Sequence, residues 1–219
     1  MRLVIFDVDG TLVDSQHEIV SAMSAALVSA GLPVLARDKV LSIVGLSLPL
    51  AVARLVPEAS SAQQDAVIDG YRTAFQQARL AGARPPLYPG AMACLDRLAA
   101  RDDVLLAIAT GKSRRGLAAL LKAEGLQSRF VSLQTADDHP SKPHPAMLEA
   151  ALSEAGVDAS RAVMIGDTSF DMEMAQAARI HALGVAWGYH PVDLLGRSGA
   201  AAIAADFNAL TRMIEEWAA

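Results

Sequence analysis

Four short apolar runs, each followed at once by polar residues, constrain the fold of this chain more than any other feature. Runs of four to six residues without apolar–polar alternation are typical of strands buried on both faces, as in a parallel sheet. We therefore predict four core strands and two further strands nearer the carboxyl terminus. The predicted strands are Leu3–Phe6, Val104–Ala109, Phe130–Leu133, Ala162–Ile165, His181–Val185 and Ala201–Ala204.

Helical hydrophobic patterns lie between these strands along the chain. Strands that alternate with helices predict an α/β fold with a doubly wound parallel sheet, in which helices cover both faces. The helices predicted in this part are Ala91–Ala100, Arg114–Glu124, Ala146–Ala155, Phe170–Ala178 and a closing helix at Asn208–Trp217.

The segment from Ser15 to Gly82 departs from this alternation, because its pattern is helical and contains no buried strand. Ser15 and Glu18 fit a capping box, with Ser15 as the N-cap residue. Helices are predicted from this cap to Ala30, and over Arg37–Ile43, Pro49–Leu55 and Ser61–Ala81. We therefore expect an α/β core, residues 1–14 and 83–219, with an all-helical cap domain, residues 15–82, inserted after the first strand.

Composition and charge exclude several classes of protein. The net charge of −5 argues against binding to duplex nucleic acid, which normally needs a basic face. No apolar run approaches the roughly 20 residues that span a bilayer, and the amino terminus becomes acidic too early for a secretory signal. Cys94 has no second cysteine with which to form a disulfide. We expect a cytoplasmic protein, and a monomer is compatible with these features.

The stretch "FDVDGTLVDS", Phe6–Ser15, has two interpretations. An Asp-Gly step beside apolar residues is a short-range hairpin signal, yet Asp7 and Asp9 also directly follow a predicted buried strand. In an open parallel sheet, ligands bind outside the carboxyl ends of the strands. The polar residues at those ends are Asp7, Asp9, Thr110, Lys142, Asp167 and Asp171.

Several carboxylates at one edge of a sheet would repel one another strongly unless a cation neutralised them. Hard oxygen ligands without a Cys/His cluster favour Mg²⁺. A hydroxyl from Thr110, the backbone N–H groups of the Thr110–Gly111 turn and the Lys142 ammonium would suit a phosphoryl group at the same place. The residues therefore indicate a magnesium site that handles phosphate.

These motifs resemble those of the haloacid dehalogenase superfamily, in its phosphatase branch with a helical cap of the first type. The resemblance covers nearly the whole chain, and four motifs occur in the expected order. They are "DVDGT" (Asp7–Thr11), "ATGKS" (Ala109–Ser113), "SKPHP" (Ser141–Pro145) and "GDTSFD" (Gly166–Asp171). One such motif would be weak evidence, whereas four in sequence with a helical insertion after the first are specific.

The resemblance implies catalytic and metal-binding roles for the first and fourth motifs. Asp7 would be the nucleophile that forms an aspartyl-phosphate. Asp9 would act as general acid and then as general base, and an aspartate at this position is what distinguishes phosphate-ester chemistry within the superfamily. Asp7, the carbonyl of Asp9 and Asp167 would hold Mg²⁺.

The resemblance also implies how the remaining motifs act. Thr110 and Gly111 would bind the phosphoryl oxygens, and Lys142 would align Asp7 with the phosphoryl group. Asp171 would support Lys142 or a metal-bound water. Lys112 is interpreted as a solvated lysine. In relatives with this cap, a loop reads the substrate, and here that loop corresponds to residues Gly45, Leu46 and Ser47.

We therefore expect a Mg²⁺-dependent phosphatase that hydrolyses a small phosphorylated metabolite and resembles the phosphoglycolate phosphatases. Three alternatives remain open from the sequence. A phosphoglucomutase-type phosphoryl transferase and a pyrophosphatase share the same fold and motifs. A phosphate-binding regulatory module without turnover is the third, although the chain retains every catalytic residue type. A receiver domain is disfavoured, since its phosphorylated aspartate lies on a later strand.

Overall fold

Six short strands form one fully parallel sheet in the computed structural model, which describes residues 1–219. Their order across the sheet is β3-β2-β1-β4-β5-β6, so β1 lies at its centre. The strands are β1 Arg2–Phe6, β2 Val104–Thr110, β3 Ser132–Thr135, β4 Ala162–Gly166, β5 His181–Val185 and β6 Ala202–Ala204. The expected doubly wound parallel sheet is therefore confirmed.

Ten α-helices accompany the sheet, and none is long and apolar enough to cross a bilayer. Four of them lie between β1 and β2 in the chain: α1 Gln16–Ser29, α2 Arg37–Leu41, α3 Leu48–Leu55 and α4 Ser61–Leu80. The others are α5 Ala91–Ala99, α6 Arg114–Glu124, α7 Ala146–Ala155, α8 Ser169–Ala177, α9 Val192–Arg197 and α10 Phe207–Trp217.

Alternate residues of β1 pack into two different apolar layers. Val4 and Phe6 belong to the layer formed with α5, α6 and α10, whereas Leu3 and Ile5 belong to the layer formed with α7, α8 and α9. All four side chains are fully buried. Because helices cover both faces of the strand, apolar side chains are favoured at every position, which explains the uniformly apolar runs in the sequence.

The helices α1–α4 have an apolar core of their own. Met23, Leu27, Val52 and Val67 are buried in it, and Phe170 is its one buried residue from outside the segment between β1 and β2. The two chain segments that connect this helical cap to the sheet run side by side, since Val13 forms a bridge with Leu87. The insertion after β1 therefore forms a separately packed layer above the carboxyl end of the sheet.

Strand register brings the chemical residues to one edge. Phe6 lies opposite Ile108 of β2 and Ile165 of β4. Asp7 follows Phe6, and its backbone N–H donates to the Ile165 carbonyl at 2.9 Å. The residues that follow β1, β2 and β4 consequently meet at the carboxyl edge of the central strands, directly below the cap.

Three details of the predicted secondary structure are wrong by more than a one-residue shift of an end. The third strand is Ser132–Thr135 rather than Phe130–Leu133, because its pairing with β2 continues as far as Thr135 opposite Thr110. The helix α2 ends at Leu41 rather than Ile43. Ser15 is the N-cap of α1, but its hydroxyl does not cap the helix; it donates to the Asp9 carboxylate at 2.6 Å instead.

Candidate active site

Asp7 lies at the end of β1 with only 1% of its surface exposed. The Lys142 ammonium lies 2.9 Å from its Oδ1, an ion-pair distance. Neither carboxylate oxygen of Asp7 has a correctly aligned hydrogen-bond donor. A buried carboxylate normally accepts several hydrogen bonds, so these two oxygens are available to a ligand that the protein itself does not supply.

Lys142 and Asp171 form a buried ion pair beside Asp7. Neither side chain is exposed, and the Lys142 ammonium donates to Asp171 Oδ1 at 2.6 Å. Asp171 Oδ2 accepts from the backbone N–H and the hydroxyl of Thr168, at 3.1 and 2.7 Å. Thr168 and Asp171 are also the capping box of α8, so the start of this helix determines where the lysine is held.

Two hydrogen bonds fix the Asp167 carboxylate, and two glycines allow the backbone to pass close to it. Its Oδ1 accepts from the Thr11 hydroxyl, and its Oδ2 accepts from the backbone N–H of Tyr189, both at 2.9 Å. A Cβ at Gly10 or at Gly188 would lie 2.2 or 2.0 Å from the Asp167 side chain. Both positions therefore require glycine for close approach, and Gly10 also has a left-handed φ of +87°.

The carboxylates of Asp7, Asp167 and Asp171 can each place an oxygen within 4.8 Å of the others. All three are buried, and Lys142 is the one ammonium among them. Asp171 is ion-paired with the Lys142 ammonium at 2.6 Å, whereas Asp167 accepts only from neutral donors. Asp7 and Asp167 are therefore the better ligands for a metal ion. This all-oxygen donor set fits a hard divalent cation.

Burial and charge shift the pKa values at this site. Burial raises the pKa of Asp7 to about 6, against the opposing effect of the Lys142 ammonium. Burial also raises the pKa of Asp167 well above its ordinary value, and the carboxylates of Asp7 and Asp171 add to the rise. Burial alone would lower the pKa of Lys142, but the charges of Asp171 and Asp7 outweigh it and raise that pKa. Burial and mutual repulsion thus disfavour the charged forms of Asp7 and Asp167.

Asp9 points away from this cluster. Both of its oxygens lie 2.8 Å from the Lys112 ammonium, and Oδ1 also accepts from the Ser15 hydroxyl. The Ser15 hydroxyl is in turn 3.1 Å from the Tyr189 hydroxyl. The interpretation of Lys112 as a solvated lysine is therefore wrong, since its side chain is only 14% exposed. Its position two residues after the end of β2 was the available signal.

Thr110 and Gly111 end β2 beneath the loop that leads into α3. Thr110 is buried, and its Oγ1 accepts from the backbone N–H of Lys112 at 3.2 Å. A Cβ on Gly111 would lie only 2.5 Å from the carbonyl oxygen of Gly45 and 2.8 Å from that of Leu46. The backbone N–H of Ser47 donates to the Ser141 hydroxyl at 2.8 Å. The cap loop therefore rests directly on the second and third motifs.

A cleft of about 1100 Å³ lies between the cap and the sheet edge. It extends along α6, and the aromatic side chains of Tyr71 and Phe75 on α4 form part of its wall. Lys142, Asp167 and Asp171 lie outside its lining. The residues singled out from the sequence that do line it are Asp7, Asp9, Gly45, Leu46, Ser47, Thr110 and Gly111.

Comparison with known proteins gives consistent similarities. A family model described as haloacid dehalogenase-like hydrolase matches residues 4–185. "Probable phosphatase IndB" of Dickeya dadantii is 38% identical, over 88% of this chain and 84% of that protein. Phosphoglycolate phosphatase of Rhodospirillum rubrum is 34% identical, over 95% of this chain and 89% of that protein. A solved hydrolase structure from Pseudomonas syringae has a TM-score of 0.88 at 27% identity and full coverage of both chains.

The raised pKa of Asp7 predicts a pH-dependent stability in metal-free buffer. A carboxyl with a folded-state pKa near 6 and an ordinary value of 3.8 in the unfolded chain stabilises the fold at low pH. That stabilisation is lost as the pH rises through 6. Asp7→Asn should therefore gain stability relative to wild type between pH 4 and about 7, by roughly 1–3 kcal/mol.

Urea unfolding in the presence of EDTA, at a series of pH values, measures this difference. The exposed Asp102 offers a matched control, and Asp102→Asn should follow the wild-type curve. A difference between Asp7→Asn and wild type that stays constant with pH, or shrinks as the pH rises, contradicts the prediction.

Proposed function

Because the chain belongs to the haloacid dehalogenase-like hydrolase family and is a phosphatase, we propose that it hydrolyses a small organic phosphate monoester through an aspartyl-phosphate on Asp7. The observation that carries this proposal is the Asp7 carboxylate, which is buried in the cleft with Lys142 as its only close charged partner and with no aligned hydrogen-bond donor on either oxygen. A carboxylate that is shielded from water is a stronger nucleophile than a fully solvated one.

The reaction proceeds in two displacements. An oxygen of Asp7 attacks phosphorus, and the bond from phosphorus to the ester oxygen breaks as the Asp9 carboxyl donates its proton to that oxygen. The alcohol leaves with this proton. Asp9, now a carboxylate, takes a proton from a water molecule that attacks phosphorus. Inorganic phosphate is released and the Asp7 carboxylate is restored.

The other residues of the site bind and orient. The Thr110 hydroxyl and the Gly111 N–H hold nonbridging phosphoryl oxygens, and the Lys142 ammonium keeps Asp7 in line with phosphorus. Asp171 fixes Lys142 through its 2.6 Å contact. Asp7, the Asp9 carbonyl and Asp167 would hold Mg²⁺, which when bound supplies positive charge between the nucleophile and the phosphoryl group.

The cap, for which we propose residues 15–82, closes over this site and excludes water. Its connections to the core are the paired segments near Asp14 and Pro86, where the Asp14 N–H donates to the Pro86 carbonyl. Gly82 has a φ of +89° and free space around its Cα. Asp14–Ser15 and Gly82 are therefore the proposed hinges, and loop Gly45–Ser47 contacts the substrate when the cap is closed.

The names of the relatives and the position of the cap support a small substrate. Several relatives are named phosphoglycolate phosphatase, including those of Agrobacterium fabrum and Rhodospirillum rubrum. The cap loop lies so close to Gly111 that the phosphoryl subsite is tightly covered. We assign a small phosphorylated metabolite, with 2-phosphoglycolate as the first compound to test.

Asp7→Asn should lower kcat by at least about a thousandfold, because an amide cannot form the acyl phosphate. Release of inorganic phosphate from 2-phosphoglycolate, β-glucose 1-phosphate and pyrophosphate is measured for both proteins, with Asp102→Asn as the matched control. Isomerisation of the sugar phosphate without phosphate release would indicate a mutase instead. Activity of Asp7→Asn near that of wild type would sink the mechanism.

Mg²⁺ should stabilise the protein through Asp7 and Asp167. At 100 times its dissociation constant, a ligand raises the free energy of unfolding by about 2.7 kcal/mol. Gly188→Ala places a Cβ where the Asp167 side chain now lies, so this variant should bind Mg²⁺ at least about tenfold more weakly.

Isothermal titration with Mg²⁺ at pH 7.5 and urea unfolding with and without Mg²⁺ make the comparison. Gly196, which has open space around it, provides the control substitution Gly196→Ala. Equal Mg²⁺ affinity in Gly188→Ala and wild type would show that Asp167 does not hold the ion.

A further inference from the structure

The Lys112 ammonium contacts both carboxylate oxygens of Asp9, the residue proposed as general acid. It lies 2.8 Å from both oxygens of Asp9, and the side chains of the pair are only 14% and 13% exposed. The ammonium also lies 5.7 Å from the centre of the Phe75 ring on α4. Lys112 therefore sits between the core and the cap, at a point where the mechanism above gives it no role.

This ion pair is incompatible with proton transfer by Asp9. Oδ1 accepts from Lys112 and from Ser15, and Oδ2 accepts from Lys112. While both oxygens are held in this way, the carboxylate is directed at Lys112 and Ser15 and is not free to turn to the ester oxygen of a substrate. The ammonium must leave Asp9, and a largely buried cation leaves one anion at low cost only if another takes its place.

The protein itself offers no replacement anion in this arrangement. Besides Asp7 and Asp9, three carboxylates line the cleft: Glu18, Glu124 and Asp137. None of these three lies within 4.0 Å of the Lys112 ammonium. On the cap side the neighbouring wall is aromatic, formed by Phe75 and by Tyr71, whose ring centre is 5.0 Å from that of Phe75. The replacement must come with the substrate.

We infer that Lys112 exchanges Asp9 for a carboxylate on the leaving group of the substrate, so that a second anion both selects the substrate and frees the general acid. This inference rests on the proposed phosphatase function. Asp9 must approach the ester oxygen to about 3 Å, and Lys112 is at hydrogen-bond distance from Asp9. The Lys112 ammonium therefore lies about 6 Å from the ester oxygen, so a carboxylate joined to that oxygen by one or two carbon atoms can reach it.

A single negative charge fits this subsite better than a second phosphate. Lys112 is the only lysine or arginine with its charged group within 4.0 Å of Asp9. The arginines that line the cleft, Arg72, Arg79, Arg84 and Arg115, have exposed side chains. One ammonium against an aromatic wall balances one carboxylate, whereas a dianion would leave a charge unpaired there.

The test compares two esters that differ in this anion. Wild-type protein should hydrolyse 2-phosphoglycolate with a kcat/KM about tenfold to a hundredfold above that for 2-hydroxyethyl phosphate, which carries a neutral end. Lys112→Met should abolish this preference, because KM for 2-phosphoglycolate rises as its carboxylate loses its partner, while kcat for the neutral ester rises as Asp9 is released. Lys112→Arg should restore part of the preference.

Two further variants keep the result interpretable. Lys39 is exposed on α2 and lies outside the cleft, so Lys39→Met should keep the wild-type preference. Lys112→Gln is measured in parallel, with thermal unfolding followed by circular dichroism, so that loss of fold is not mistaken for loss of selection.

The outcomes separate this inference from the proposed function. If Lys112→Met and Lys112→Gln change kcat/KM for both esters by the same factor, Lys112 does not select the anion. If KM for 2-phosphoglycolate rises in Lys112→Met while kcat for the neutral ester does not rise, Lys112 anchors the substrate but does not restrain Asp9, and the inference is overturned. Failure of the proposed function is a different result: wild type hydrolyses neither ester, or Asp7→Asn remains active.

Discussion

One buried ammonium, Lys142, faces the carboxylates of Asp7 and Asp171 at the end of β1, and Asp167 adds a third buried carboxylate beside them. Transferring charged groups out of water costs several kcal/mol for each ion even after relaxation. The surrounding structure reduces this cost. The capping box of α8 satisfies Asp171, Thr11 and the Tyr189 backbone satisfy Asp167, and glycines allow the chain to pass close to the carboxylates.

The cost of burying charge is not fully compensated at Asp7, and this residue is the one to which we assign the chemical step. Its two oxygens are buried and lack aligned donors, so a cation and an electrophilic phosphorus are the partners that would relieve it. A second ammonium, that of Lys112, holds Asp9 a short distance away. In the proposed mechanism the two lysines have opposite effects: Lys142 orients the nucleophile Asp7, while Lys112 restrains the general acid Asp9 until the substrate carboxylate takes its place.

Much of this arrangement could be predicted from the sequence, for identifiable physical reasons. Uniform apolar runs locate strands that are buried on both faces, and the helices α6 and α7 begin and end at the predicted residues because their periodicity and flanking glycines are clear. The acidic residues after β1 and β4 converge because parallel strands end at one edge. Contacts between distant segments could not be read in this way. Ser15 looked like a helix cap and Lys112 like a surface lysine, since local patterns contain no information about Asp9.

The central claim is that Asp7 becomes phosphorylated during turnover. Acid quenching of the protein in the presence of 2-phosphoglycolate, followed by reduction with sodium borohydride, converts an acyl phosphate of aspartate to homoserine. Peptide mass spectrometry then locates the modified residue. The account predicts homoserine at position 7 alone, and only when substrate is present. Steady turnover with Asp7 unmodified, or homoserine at Asp9, Asp167 or Asp171 instead, would contradict it.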